Sequence, residues 1–388
     1  MTLVNRIVNR LNSLYINHNI SNKFWKENEI WMDKLIDMNI NSHSEEDELY
    51  ILSNKLRQEN LSFYENKYIQ SGIRVLIQAE TPEKGIGSFS IFKNWISSLE
   101  FMGIKAEIVF NNENIFEKIK NFKPTFFFTS DHISYLSKID WENLQSFRKE
   151  NPFLLAFTAS AKHDGNPNED KRIEFAKKQN VDFFITFRVE EYITNYLSNW
   201  TDAGFPVLSI PFAANPLYHY YIPNNNKVFD YIFLASSNPE KSEQYIKYLL
   251  KIINNNMGFI NGPGWKNNLD LLKREWHSHF YSFAKIGLNL HIPVSLDIKS
   301  EINERSFILA SCGVFQIMDN PLALNDFFSS KSIVVANNSK DYFEKFNYFL
   351  NNPKEKYSYQ YNSLVDIYES NTIFHRMDKL ITFLKKNQ

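Results

Sequence analysis

Apolar positions keep a helical spacing over the first seventy residues and lose it after Gly72. Ile7, Leu11 and Leu14 form one stripe, and Trp31, Leu35 and Ile36 another. Stripes of this kind predict amphipathic helices. Ser42 to Asp47 is a polar break in which Ser42 or Ser44 is placed to cap the next helix. Residues 1–70 therefore read as a helical extension that packs on the rest of the chain. From Gly72 short apolar runs alternate with amphipathic stretches, the pattern of βαβ units on a parallel sheet. The predicted strands are Arg74–Ala79, Ala106–Phe110, Thr125–Thr129, Phe153–Phe157, Asp182–Thr186 and Val207–Ile210. Between the first two lies a helix over Ser88–Met102 with Phe92, Trp95, Ile96 and Leu99 on one face.

Pro211 to Asn226 holds three prolines and an asparagine run, and reads as an interdomain linker. Alternation then restarts. Strands are predicted at Tyr231–Ala235, Gly258–Asn261, Ile286–Leu290, Val314–Met318 and Ile333–Ala336. Helices are predicted at Glu240–Ile253, Asn303–Cys312, Asp341–Leu350, Lys354–Glu369 and Thr372–Lys385. The expected fold class is α/β, two Rossmann-like domains facing a cleft. Residues 71–215 form the first domain and 216–388 the second, which includes the closing helices.

Composition narrows the function. Lys and Arg total 43 against 44 Asp and Glu, a net charge of -1. A general nucleic-acid binder needs a basic surplus to neutralise phosphates, so no nucleic-acid partner is expected. The single cysteine, Cys312, can form neither an intrachain disulfide nor a thiolate metal cluster. Asn, Arg and His interrupt Met1 to Ser21, which removes the signal-peptide pattern. No apolar stretch is long enough to span a bilayer. The expected location is the cytosol, with contact to a membrane face left open.

Ligands of open α/β sheets bind beyond the carboxyl ends of the strands, so candidate chemistry is sought there. After the first strand, Glu80 to Ser88 carries Glu83, Gly85 and Gly87 before a helix. Its two glycines let the backbone approach a ligand, yet it fails the dinucleotide fingerprint at Ser90. It reads equally as a loop closing over an acceptor and as a plain turn. Asp131 and His132 follow the third strand. A carboxylate beside an imidazole can deprotonate a hydroxyl; Asp131 can also simply cap the helix from Ile133. After the fourth strand, His163 and Asp164 face the same edge or form a solvated turn.

In the second domain Gly262 and Gly264 permit close contact with a nucleotide or sugar, and Trp265 offers a stacking face. A Pro-Gly turn with a packing tryptophan fits the same residues. Lys285, Asn289 and His291 run through a strand into a polar loop, where Lys285 and His291 are candidates to meet phosphates. Asn303, Glu304 and Arg305 open a helix that Ser300 or Asn303 can cap and Gly313 can stop. Its amino terminus is suited to a diphosphate, and Arg305 supplies a planar donor fork. Cys312 reads as buried filler. The chain has no Asp-x-Asp triplet, no His-Glu-x-x-His motif, no phosphate-loop Gly-Lys-Ser/Thr and no Gly-x-Ser-x-Gly elbow. No metal site or cofactor is therefore expected.

The second half resembles the CgeB-like family of GT-B glycosyltransferases, related to the group-1 and group-4 transferases. The resemblance rests on an ordered series. It runs from Tyr231–Ser237 through Gly262-Pro-Gly-Trp265 and Tyr281–Asn289 to Asn303–Gly313. Tyr342–Leu350, Asn352-Pro353 and Thr372–Arg376 complete it. It covers about the last 160 residues. It implies the GT-B fold, a nucleotide-sugar donor held by the second domain and an acceptor held by the first. The acceptor would be a saccharide, a lipid-linked sugar or a protein, in surface polysaccharide or glycoconjugate synthesis. The family carries a glutamate for the donor ribose where this chain has Ile308; Glu304 or Glu301 would have to replace it. That departure motivates a second expectation, a non-catalytic relative that binds a sugar or a partner protein. A two-lobed binding protein of the periplasmic type shares the layout but not the signal peptide.

Overall fold

The computed structural model describes residues 3–38, 47–82, 86–159, 161, 168–266 and 271–387. The chain divides into two compact units: Leu61–Pro211 with Ile373–Gln388, and Met1–Asn60 with Phe212–Thr372.

The first unit is built on six parallel strands in the order β2-β1-β3-β4-β5-β6. They are β1 (Arg74–Ala79), β2 (Lys105–Phe110), β3 (Phe126–Thr129), β4 (Leu154–Thr158), β5 (Phe183–Thr186) and β6 (Val207–Ser209). Every residue of β3 and of β5 is buried, as expected of strands covered on both faces. Phe126 stacks on Phe183 at 5.5 Å across the intervening strand. The second unit holds five parallel strands in the order β11-β10-β9-β7-β8. They are β7 (Tyr231–Leu234), β8 (Gly258–Asn261), β9 (Gly287–Asn289), β10 (Gln316–Met318) and β11 (Val334–Val335). All eleven predicted strands are present, within two residues at each end.

The helices Leu3–Asn19 and Asn22–Asp37 pack on the rest of the chain, as expected of the extension, and they belong to the second unit. Ile16, Ile20, Phe24 and Trp25 share one apolar cluster with Tyr231, Phe233 and Trp265. Asn28 explains the attachment. Its amide donates to the Gly258 carbonyl at 3.2 Å and accepts from the Ile260 N–H at 2.8 Å. It thus occupies the free edge of β8 where a further strand would pair. The closing helix, Ile373–Asn387, belongs instead to the first unit. Phe374 packs on Tyr64 and Phe101, and Phe383 lies 4.7 Å from Phe183. Its apolar stripe demands a partner, but periodicity alone does not say which sheet supplies it. No helix among the described residues is long and apolar enough to cross a membrane.

Candidate functional site

The carboxyl edge of the second sheet gathers a polar cluster around the helix Glu304–Ser311. Asn303 caps that helix, accepting the Ser306 N–H at 3.2 Å. Asn289, the last residue of β9, is fully buried and fully bonded. Its amide nitrogen donates to Ser306 Oγ (2.8 Å) and Gln316 Oε1 (3.2 Å). Its oxygen accepts from Asn303 (2.8 Å) and from Arg305 (3.3 Å). Arg305 also donates from Nε to the Leu234 carbonyl at 3.0 Å, and its guanidinium lies 4.6 Å from the Phe233 ring centroid. The end of β7, the end of β9 and the helix N-terminus therefore fix this one guanidinium.

A second cation stands beside it. Lys241 sits in the first turn after β7, buried, with Nζ donating to the Leu290 carbonyl at 2.9 Å. Burial and the neighbouring Arg305 charge lower its pKa to about 7, against the opposing pull of Asp319 and Glu240. Among the described residues neither Lys241 nor Arg305 has a carboxylate in salt-bridge contact. Two basic side chains at the amino-terminal end of a helix are a charge arrangement suited to a multiply charged anion. His291 completes the floor. Its Nδ1 lies 2.6 Å from Asp319 Oδ1, and its N–H donates to the other carboxylate oxygen at 2.8 Å. Burial lowers the ring's pKa despite Asp319. A neutral ring donates from Nδ1 to the carboxylate and turns Nε2 toward Ser306 Oγ, 3.5 Å away.

Several expected donor residues hold other positions. Lys285 precedes β9 and pairs with Asp230 at 2.8 Å, ahead of β7. It is at the amino-terminal edge of the parallel sheet, opposite Arg305, and does not join the cluster. Trp265 is buried, donates its indole N–H to the Ala235 carbonyl at 2.7 Å and packs on Tyr245 and Phe233. It is core, not a stacking platform. Glu304 takes a bidentate ion pair from Arg274 at 2.9 and 3.0 Å. Ile308 is buried in an apolar cluster with Phe280, Leu309 and Cys312. The close approach at Gly262 is to the protein's own backbone: a Cβ there would meet the Ala235 carbonyl oxygen at 2.1 Å. Burial pushes the Cys312 thiol up to about 12, consistent with filler.

In the first unit Asp131 follows β3 and is buried. It accepts from Thr158 Oγ1 at 2.8 Å and is ion-paired with Arg172. It is not the helix cap. His132 takes that place, accepting the Ser134 N–H at 3.2 Å. Glu83 and His163 lie outside the described residues. Among the described residues no three His, Cys, Asp or Glu side chains gather as metal ligands.

Arg274 neighbours a histidine pair in the same unit, His219 buried and His277 half-buried. His219 and His277 stack at 5.8 Å. Burial, then the neighbouring His277, lowers the pKa of His219 well below the usual range, and burial, then Arg274, lowers that of His277 to about 3. Both fold as neutral rings, whereas the unfolded chain protonates them below about pH 6.5. Stability is therefore complete above that pH and is lost progressively as pH falls toward the folded values. Each ring should cost about 1.4 kcal/mol per pH unit below about pH 6.5. Urea unfolding at about pH 7.5 and pH 5.5 should show a smaller acid loss in His277→Gln, by about that amount. An equal loss in variant and parent would place the acid sensitivity elsewhere.

Three comparisons bear on this edge. Residues 247–382 match the family model described as glycosyl transferase-like. The search of curated proteins returned no match. Solved structures match throughout most of the chain. Anabaena Alr3699/HepE in complex with UDP and glucose is 8% identical, with 81% of this chain and 100% of that chain covered and a TM-score of 0.53. Sucrose-phosphate synthase from Thermosynechococcus elongatus is 11% identical over 81% and 100% of the two chains, with a TM-score of 0.54. An α-glucosyltransferase in complex with UDP and a 13-mer DNA is 10% identical over 81% and 100%, with a TM-score of 0.59. At these identities the likeness is one of fold. The chain has the GT-B glycosyltransferase fold, with two parallel-sheet α/β domains and a helical N-terminal region.

Proposed function

We propose that the protein is a glycosyltransferase that takes a sugar from a nucleoside diphosphate donor and passes it to a hydroxyl acceptor. The observation that carries this reading is the pairing of Lys241 with Arg305 at the carboxyl edge of the second sheet, within a fold shared with sugar transferases. The glycosyl transferase-like match and neighbours crystallised with UDP support the donor class. In the reaction the bond between the sugar C1 and the diphosphate oxygen breaks. The acceptor oxygen bonds to C1, and its proton is released to solvent, so that donor and hydroxyl give a glycoside, a nucleoside diphosphate and one proton. Negative charge grows on the departing diphosphate, where two fixed cations and a helix dipole act most strongly. Asn289 holds Arg305 and the Asn303 cap in place, so it is a positioning residue for that charge.

Within this reading the acceptor is a saccharide, a lipid-linked sugar or a protein, in surface polysaccharide or glycoconjugate synthesis on the cytosolic side. The near-zero net charge supports a partner other than nucleic acid. The CgeB-like affinity of the second half belongs to the same proposal. A thermal-shift panel of nucleoside diphosphates and their sugar conjugates tests the donor class. A ligand at about a hundred times its Kd adds about 2.7 kcal/mol of stability. No shift with any of them would end the reading. Stabilisation without nucleotide release in the presence of acceptors would favour the non-catalytic relative.

Transfer is also expected to proceed without a divalent metal, because Lys241 and Arg305 supply the positive charge that the leaving group needs. Turnover should survive exhaustive chelation. Loss of turnover that manganese or magnesium restores would refute this.

A further inference from the structure

The first helix, Leu3–Asn19, is mounted with its polar side inward. Ser13 Oγ lies 3.4 Å from Ser237 Oγ, and Ser242 donates to the Asn9 carbonyl. Asn17 accepts the Lys266 N–H at 3.0 Å. Ile16 and Ile20 are the buried apolar anchors beside these contacts. The opposite side carries Ile7, Val8, Leu11, Leu14 and Tyr15, spaced by three, four and seven residues, and each is about half exposed or more. Leu11 and Leu14 are 60% and 61% exposed. A helix that packs against its own protein ordinarily turns such a stripe inward. A contiguous exposed stripe marks a surface that is covered by something else.

Charge indicates what covers it. The helix contains no Asp or Glu, and Arg6, Arg10 and His18 are exposed along it. An apolar stripe bordered by arginines and free of acids matches the interface of an anionic bilayer. A second copy of the chain fits less well. A two-fold contact pairs the same patch with itself and would bring Arg6 and Arg10 of both copies together. The stripe is also one helix face of five side chains, small against the ~800 Å² per partner of a stable interface.

We infer that this helix lays Ile7, Leu11 and Leu14 on an anionic lipid surface and holds the second unit there as a peripheral membrane protein. The inference is independent of the proposed sugar transfer. The test is sedimentation of the full chain with phosphatidylcholine vesicles, with and without phosphatidylglycerol. Binding is expected to the anionic vesicles and to weaken in high salt. The triple variant Ile7→Asn, Leu11→Asn, Leu14→Asn should bind about tenfold or more weakly, and Arg6→Gln with Arg10→Gln about tenfold more weakly. Both should keep the parent melting temperature, because every changed side chain is exposed. Absence of binding by the parent, or unchanged binding by the triple variant, would overturn the inference. So would a dimer in sedimentation velocity that the triple variant dissolves, since it assigns the stripe to a second copy.

Discussion

Arg305→Ala should weaken binding of a nucleoside diphosphate by about ten- to a hundredfold, because a charge-assisted contact to phosphate is worth about 1.5–3 kcal/mol. Lys241→Met should cost a comparable amount, and the double variant about a thousandfold or more where the two contacts act independently. The lysine also leaves a signature that the arginine cannot. In the free protein burial and Arg305 hold Lys241 near a pKa of about 7. A bound diphosphate, itself fully ionised above about pH 7, raises that value again. Binding is then coupled to proton uptake. Affinity should be greatest below about pH 7 and fall about tenfold per pH unit above it, until the raised pKa of the complex is reached. Calorimetry in two buffers of different ionisation enthalpy reads the proton directly. Lys241→Met should lose the pH slope, whereas Arg305→Ala should raise the free lysine's pKa and move the slope to higher pH. Unchanged affinity in Arg305→Ala would remove that residue from the site. A parent affinity that is flat from about pH 7 to 9 would remove Lys241.

The sequence conveyed the sheets better than the ligand edge, for a physical reason. A parallel strand buried on both faces must be a short apolar run, so strands such as β3 and β5 stand out from their neighbours. Arg305 and Asn303 were legible because a cap and a basic residue at a helix start carry their meaning locally. Lys241 was hidden. In the stretch Glu240–Ile253 it looks like any solvated charge on an amphipathic helix, and only the fold shows that burial lowers its pKa. Asp319 and Arg274 were missed in the same way, since their partners, His291 and Glu304, are 28 and 30 residues distant in the chain. Lys285 could have been set aside from strand direction alone. It precedes β9, and a residue ahead of a parallel strand emerges at the edge away from the ligand. Trp265 carried no such warning: Pro-Gly-Trp is equally a ligand-stacking turn and a packing turn, and the indole's bond to the Ala235 carbonyl decides for packing.

Asp131→Asn is expected to destabilise the first unit by about 3–5 kcal/mol, the usual result of leaving one partner of a buried ion pair alone. The sequence permitted a different outcome, in which Asp131 deprotonates the acceptor and its loss slows turnover without touching stability. The geometry distinguishes the two. The carboxylate is 7% exposed, accepts from Thr158 and is paired with Arg172, whose own pKa burial lowers to about 10. A carboxylate engaged by both a guanidinium and a hydroxyl has its oxygens committed to those partners, which suits an ion pair and not a proton acceptor. Asparagine preserves the shape and can still accept from Thr158, but it removes the negative charge that Arg172 pairs with. The melting temperature should therefore fall by about 10 °C, while turnover per folded molecule stays near the parent value. Replacing both partners, Asp131→Asn with Arg172→Met, should recover part of the loss, because no buried charge is then left uncompensated. A drop of about a hundredfold in turnover at an unchanged melting temperature would restore Asp131 as the acceptor base.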